Sequence, residues 1–166
     1  MCFLTSCQTF RSKELSETND KLEILEETAQ SIIKAFEEND LTMLKTVLSR
    51  KALETIDLEE GFAYSCELLE SDIAKIEQKG CPIEAHFDSG KSSKKADASF
   101  NITTESGKRF NLFFEYWYTN EFDESQIGVN RIKVSNRNEA MSDPNFKPGR
   151  LYNRSGIYNP AWDLTE

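Results

Sequence analysis

The residue types that most often carry catalysis or bind metals are scarce in this sequence. It contains four cysteines, Cys2, Cys7, Cys66 and Cys81, and a single histidine, His86. No cysteine pair has the CxxC spacing of a zinc site, and one imidazole cannot complete a mixed Cys/His site. We therefore expect no metal and no cofactor. Cys66 and Cys81 could form a disulfide, but two free, half-buried thiols are the commoner state for cysteines scattered in this way.

His86 is the only imidazole that could act as a base. It belongs to a stretch in which Ile83, Ala85 and Phe87 alternate toward the interior, so His86 and Glu84 are expected to point outward. The sequence also lacks the glycine-rich, serine and metal-binding motifs of the common enzyme classes. We therefore expect a surface histidine, and we assign no catalytic residue.

A short motif lies at the start of the chain, directly before a polar segment. Residues 1–7 are mostly apolar and end in Leu4-Thr5-Ser6-Cys7. This tetrapeptide resembles the lipobox of bacterial lipoproteins, which implies cleavage before Cys7 and attachment of diacylglycerol to its thiol. Because a signal peptide also needs a basic start and about 7–15 apolar residues, we expect Met1 to be an internal methionine of a longer leader. The alternative is a chance match in a cytosolic protein.

The elements that must position any functional residue fall into two halves. Residues 8–20 are polar and are interpreted as a tether, and residues 21–69 then show helical periodicity. Asn39-Asp40 ends the first predicted helix and can cap the second, and a third begins at Asp57. The apolar stripes are Leu22, Leu25, Ala29, Ile32, Ile33 and Phe36; then Leu41, Leu44, Val47 and Leu48; then Leu58, Phe62, Cys66 and Leu69.

After residue 71 the apolar period changes from 3.6 to 2, which indicates strands. The predicted strand regions are 73–88, interrupted at Gly80-Cys81-Pro82, and then 96–104, 109–119 and 127–134. The basic run Lys91-Ser92-Ser93-Lys94-Lys95 is interpreted as a solvated loop between two strands. The predicted fold class is therefore α+β, with three N-terminal helices packed on an antiparallel sheet of about four strands.

The strand from Arg109 to Thr119 is predicted to be central, because it is apolar on both faces. One face, which should meet the helices, carries Phe110, Leu112, Phe114, Tyr116 and Tyr118. The other face carries Phe113 and Trp117, with Asn111 and Glu115 between them. We interpret Phe113 and Trp117 as a candidate partner face. It would be covered by the irregular but apolar C-terminal segment, residues 137–166, by another strand, or by a partner molecule.

The length and charge of the chain restrict its class. A chain of 166 residues is the size of one domain, which we place at residues 21–136. The net charge is −9, whereas nucleic-acid binding depends on neutralising phosphates with Lys and Arg. The sequence therefore predicts a single acidic domain that does not bind nucleic acid.

The order of the elements resembles the cone-shaped, curved-sheet fold of the nuclear-transport-factor-two-like superfamily, also called SnoaL-like or cystatin-like. More narrowly, five ordered motifs between residues 21 and 160 resemble a family of uncharacterised Gram-positive lipoproteins known only as a domain of unknown function. These motifs are Asn39-Asp40, Thr103 to Gly107, Phe113-Phe114-Glu115-Tyr116-Trp117, Ile127-Gly128 and Gly156-Ile157-Tyr158. The narrower family supplies no catalytic residues.

The superfamily resemblance implies a pocket between helices and sheet, in which Tyr116 and Tyr118 could donate hydrogen bonds beside Phe114 and Phe100. Enzymes of this fold also need a base, and the face that the two tyrosines share has none. The leading hypothesis is therefore a noncatalytic, lipid-anchored, extracytoplasmic module that binds an unknown small molecule or protein. The alternatives are a SnoaL-type enzyme acting on an apolar substrate and a dimerising structural module that uses the Phe113/Trp117 face.

Overall fold

The computed structural model describes residues 5–69, 72–137 and 154–159, with side chains from Glu17 onward. Helices precede a sheet along the chain, which confirms the α+β class. The described helices are α1 (Thr5–Glu37), α2 (Leu41–Lys45), α3 (Arg50–Leu53) and α4 (Leu58–Leu69). The described strands are β1 (Ile73–Gly80), β2 (Ile83–Asp88), β3 (Lys91–Thr104), β4 (Arg109–Asn120), β5 (Gly128–Asn136) and β6 (Gly156–Ile157), with a 3-10 turn at Glu124–Gln126.

The first helix is longer than its apolar stripe. α1 begins at Thr5, so residues 8–20, interpreted from the sequence as a tether, are helical. At its other end the helix stops as predicted, because Asn39 takes the left-handed conformation with φ 51°. Asp40 then caps α2, its carboxylate accepting a hydrogen bond from the backbone N–H of Met43 at 3.0 Å.

The second predicted helix is divided in two, so the prediction of three helices is wrong. The stripe of Leu41, Leu44, Val47 and Leu48 continues past the end of α2 at Lys45. Leu48 instead forms an isolated bridge with Val129 of β5. Ser49 then starts α3, its hydroxyl oxygen accepting from the backbone N–H of Ala52 at 3.1 Å. The bridge between Leu48 and Val129 therefore ends the helix early, although the spacing of the apolar residues would allow it to continue.

The sheet departs from the predicted four-stranded antiparallel arrangement in two ways. Its order is β1-β3-β4-β5-β6, with β2 also paired to β3, because β1 and β2 lie in succession along that long strand. β6 pairs parallel to β5, so the sheet is mixed. The Lys91–Lys95 loop prediction is also wrong: Ser89 and Gly90, with φ of 51° and 81°, make a two-residue reversal, and β3 starts at Lys91.

The helices pack on one face of the sheet, which we call the inner face. It carries Ala96, Ala98, Phe100 and Ile102 of β3, Phe110, Leu112 and Phe114 of β4, and Val129, Ile132 and Val134 of β5, all at most 2% exposed. The opposite, outer face carries the alternate residues. Phe87 was predicted to point inward but is 73% exposed. The reason is that β2 is an edge strand, paired to β3 on one side.

α4 approaches the backbone of β6 so closely that a side chain does not fit between them. A Cβ atom at Gly61 would lie 2.3 Å from the carbonyl oxygen of Ile157. Ile157 is fully buried and Tyr158 is 8% exposed. Residues 154–159 therefore belong to the body of the domain, while the rest of the predicted packed segment 137–166 lies outside the described residues apart from Arg137.

Candidate functional site

Charged side chains of four adjacent strands converge on the outer face. The register makes Glu84 of β2 the partner of Lys95 in β3, Asp97 of β3 the partner of Glu115 in β4, and Glu115 the partner of Arg131 in β5. Opposite residues in antiparallel strands lie on the same face, so pairing alone brings these five side chains together. We call them the outer charged cluster.

Lys95 is the centre of the cluster. Its Nζ lies 3.3 Å from Asp97 Oδ2, 3.3 Å from Glu115 Oε2 and 3.7 Å from Glu84 Oε2. Burial alone would lower the pKa of Lys95, but the charges of Asp97 and Glu115 outweigh it, and the pKa lies above its ordinary value. Lys95 therefore stays protonated and holds three carboxylates at once.

Glu115 is the most deeply buried member, at 2% exposure. Its Oε1 accepts hydrogen bonds from Trp117 Nε1 at 2.8 Å and Asn130 Nδ2 at 3.0 Å, and Arg131 Nε lies 3.4 Å away. Burial would raise the pKa of Glu115, but these hydrogen bonds and the charges of Arg131 and Lys95 together hold it below its ordinary value. The carboxylate is ionised, fully engaged and inaccessible as a general base.

A helix cap extends this network into the helical half. The β4–β5 register shifts between Glu115 and Tyr116, which leaves Asn130 as an extra, fully buried residue. Its Oδ1 accepts from Ser49 Oγ at 3.2 Å, and the same hydroxyl caps α3. One chain of hydrogen bonds therefore joins Ser49 to Glu115 and fixes α3 relative to the outer charged cluster.

Asp97 differs from Glu115 because its side chain is 38% exposed and borders a cleft. Burial raises the pKa of Asp97, and the negative charges of Glu115 and Glu84 add to that effect, although Lys95 opposes it. Three carboxylates face two cations in the cluster, which leaves one formal negative charge in excess. Solvent reaches the negative charges of the cluster at Asp97 and at Glu84, whose side chains are 38% and 63% exposed.

The cleft itself, which we call the outer cleft, has a volume of about 400 Å³. It exists because the edge of the sheet is broken: the β1–β3 register shifts between Gln78 and Gly80, and Pro82 cannot donate to the ladder. Small residues also leave space here, since a Cβ at Gly80 would meet nothing within 4 Å. The lining consists of Lys79, Gly80, Pro82, Asp97, Ala98, Ser99 and Phe113.

The four residues of the sequence-predicted pocket lie on the inner face, between the sheet and the helices. Phe100 and Phe114 are buried and stack with ring centroids 5.8 Å apart. Tyr118 is half-buried, and its hydroxyl donates to the backbone oxygen of Lys21 at 2.9 Å. Tyr116 packs against Tyr118, and burial raises the pKa of both tyrosines. Both hydroxyls are therefore neutral at physiological pH.

Comparison with known proteins places the chain in a family. The family model for a domain of unknown function, DUF5104, matches residues 31–139. The chain belongs to this family. No curated protein shows significant similarity to it. The matched residues include the outer charged cluster and every lining residue of the outer cleft.

The predicted partner face of this DUF5104 domain is divided between two roles. Phe113, 9% exposed, forms a wall of the outer cleft. Trp117 donates to Glu115, and Lys95 Nζ lies 5.8 Å from the centre of its ring. His86 is exposed as predicted and packs against Phe122, with ring centroids 5.6 Å apart. Cys7 lies in α1, but its side chain is outside the described residues.

Sequence reasoning placed Asp97 and Glu115 outside the inner face but did not identify them as a site. The available signal was a carboxylate between Phe113 and Trp117 in one strand, because a charge on an aromatic face requires partners. Within the described ranges, no group of three or more His, Cys, Asp or Glu residues is arranged to hold a metal ion. No helix in the part of the chain that the structure describes is long and apolar enough to cross a membrane.

Proposed function

We propose that this protein is a noncatalytic binding or accessory module, anchored through a lipid on Cys7 and displayed outside the cytoplasmic membrane. In this proposal it is a Gram-positive lipoprotein, and its domain has the nuclear-transport-factor-two-like, or cystatin-like, fold. The order of helices before a bulged sheet, with the helices on one face, supports that fold.

The observation that carries the binding role is where accessible chemistry lies. On β3, β4 and β5, no inner-face residue is an Asp, Glu or His, so the two tyrosines have no base on these strands. On the outer face, a half-exposed carboxylate, an exposed ammonium, a hydroxyl and an aromatic ring line an open cleft. Such a cleft suits recognition, because it has polar groups without an activated nucleophile.

The direction of α1 supports the tether. Glu17 lies 3.8 Å from Lys94, and the carbonyl of Lys21 accepts from Tyr118, so α1 meets the sheet at the end where the β2–β3 turn lies. Cys7 precedes Glu17 by ten residues, or about 15 Å of helix at 1.5 Å per residue. An anchor at Cys7 would hold that end of the sheet, with its exposed Phe87, close to the lipid.

Detergent phase partitioning of the product of the gene, expressed with its own upstream region, tests the tether. We expect the wild type and Cys2→Ala to enter the detergent phase, because Cys2→Ala leaves the lipobox-like motif intact. Cys7→Ala should stay in the aqueous phase, since it loses both acyl chains that would make the attachment stable. If the wild type and Cys7→Ala both stay aqueous, the anchor is wrong.

The two alternatives stay predictions with their own tests. A SnoaL-type enzyme requires a proton acceptor within hydrogen-bonding reach of a substrate beside Tyr116 and Tyr118. Turnover that is lost in both Tyr116→Phe and Tyr118→Phe would support it. A dimerising module requires the Phe113/Trp117 face to be shared by two copies, and a monomer in sedimentation would contradict that role.

A further inference from the structure

We infer that the outer cleft binds a small organic ammonium, that is, a protonated amine carried on an apolar group about one ring in size. This inference deepens the proposed function: it rests on the protein being a binding module, but it does not rest on the anchor at Cys7. Four properties of the cleft carry it: its charge, its wall, its size and its position in the sheet.

The charge of the cleft favours a cation. Among the five members of the outer charged cluster, one negative charge is in excess, and Asp97 is the member that lines the cleft. The other charged residue of the lining, Lys79, is exposed on the edge strand β1, where solvent screens its charge, whereas Asp97 is partly buried. Lys95 approaches Asp97 only at 3.3 and 3.5 Å, longer than the usual 2.7–2.9 Å of a charge-assisted bond. The Asp97 carboxylate therefore keeps capacity to accept from a second, better-placed ammonium group.

The wall of the cleft favours an apolar group next to that ammonium. Phe113, which is 9% exposed, lines the cleft together with Gly80 and Pro82 of the broken edge. Aromatic rings attract cations within about 6 Å of their centres. Contacts of this kind already occur in the domain, with Lys95 Nζ 5.8 Å from the ring centre of Trp117 and Lys133 Nζ 4.6 Å from that of Tyr158.

The size of the cleft limits the ligand. A volume of about 400 Å³ lies near the lower end of small-molecule sites, which run from about 300 to 1,000 Å³. Burial also raises the pKa of Asp97, and a bound cation would reverse that shift by favouring the ionised carboxylate. A ligand with one ring is small enough for this volume, and its one charged nitrogen would supply the cation next to Asp97.

The position of the cleft makes binding compatible with a rigid fold. Asp97 and Phe113 lie on β3 and β4, the two central strands, and the backbone N–H of Asp97 donates to the carbonyl of Pro82 at 3.2 Å. Strand pairing thus fixes the backbone positions of both residues before any ligand arrives. A site on rigid strands loses little conformational entropy on binding.

Benzylammonium is a suitable probe, with benzyl alcohol as the neutral control of matched size and benzoate as the anionic control. We expect amide shifts in ¹⁵N–¹H spectra of the full chain to cluster at Gly80, Asp97 and Ser99, with a Kd of about 1–10 mM. Benzyl alcohol and benzoate should bind at least about tenfold more weakly. Equal shifts with all three compounds would overturn the inference, as would no shift with benzylammonium at 50 mM.

Two variants test the site from different sides. Asp97→Asn removes the charge with little change in shape and should weaken benzylammonium at least about tenfold. Gly80→Val places a side chain where a Cβ meets nothing within 4 Å, so it should occlude the cleft without straining the fold. Glu77→Gln, an exposed acid on β1, is the matched control and should leave the affinity unchanged.

The outcomes separate the ligand from the proposed function. If Asp97→Asn fails to fold, the charge series and Gly80→Val still decide, because neither depends on that variant. Binding that survives Gly80→Val would contradict the location. If the protein enters detergent through Cys7 but shows no preference for the cation, the ligand class is wrong and the tether stands.

Discussion

The two faces of β4 show what alternation along one strand can separate. Inward, Phe110, Leu112 and Phe114 are at most 1% exposed and pack against apolar side chains. Outward, Glu115 is just as buried, at 2%, but every contact that holds it is polar or charged. The first face can tolerate changes of shape that conserve volume. The outer face cannot lose one partner of Glu115 without leaving another unpaired. It therefore requires particular residues, whereas the inner face requires only apolar residues of suitable volume.

The largest expected effect comes from removing the charge of Glu115. Glu115→Gln keeps the shape and an oxygen for Trp117 and Asn130 but leaves Lys95 and Arg131 with less negative charge. We expect the free energy of unfolding at pH 7 to fall by about 1.5–3 kcal/mol, the range for hydrogen bonds to charged groups. Urea unfolding measures it, with Glu77→Gln as the control: its ion pair with Lys75 is exposed to solvent and should contribute much less to stability.

The same variant has a defined pH dependence. Glu115 has a folded-state pKa below its unfolded value, so its stabilisation is present above the unfolded pKa and is lost as pH falls through the folded one. The difference between wild type and Glu115→Gln should therefore be greatest near neutrality and shrink below about pH 4. A constant difference from pH 7 to pH 3 would mean that Glu115 acts through shape rather than charge.

A smaller effect contrasts the packed interior with the open outer cleft, using Gly61 in α4 and Gly80 at the end of β1. Gly61→Ala should destabilise the protein by about 1–3 kcal/mol, because the new Cβ would meet the Ile157 backbone at 2.3 Å and α4 must move away from β6. Gly80→Ala is the matched control: its Cβ enters open space at the outer cleft, so it should be neutral or stabilise by up to about 1 kcal/mol. Thermal unfolding of both variants measures the contrast, and equal losses would contradict it.

Periodicity predicted the parts of the fold that depend on one segment at a time. The stripe from Leu25 to Phe36 and the alternation of β3 and β4 are as expected, because each face is set by local geometry. The division between α2 and α3 depends on Leu48 reaching Val129, more than 80 residues away. Neither this bridge nor the parallel β6 has a local signal, so the sequence could not predict them.

The candidate site shows the same limit. Alternation correctly placed Glu115 and Asp97 on the outer face, but the burial of Glu115 depends on a shifted register with β5 and on Asn130. Alternation likewise gave Phe87 a direction without saying whether anything covers it, and it is exposed. Side-chain direction is local, whereas coverage is a property of the assembled sheet.

The smallest expected effect tests whether the inner tyrosines are structural. Tyr118→Phe removes the hydrogen bond to the Lys21 carbonyl and should lower the free energy of unfolding by about 0.5–1.5 kcal/mol. Tyr116→Phe is the matched control, since its hydroxyl makes no hydrogen bond among the described residues, and it should cost less. If Tyr118→Phe costs nothing in urea unfolding, its hydroxyl does not hold α1 against the sheet. The inner face would then have a polar group available for a ligand, and the contrast between a structural face and a binding face would fail.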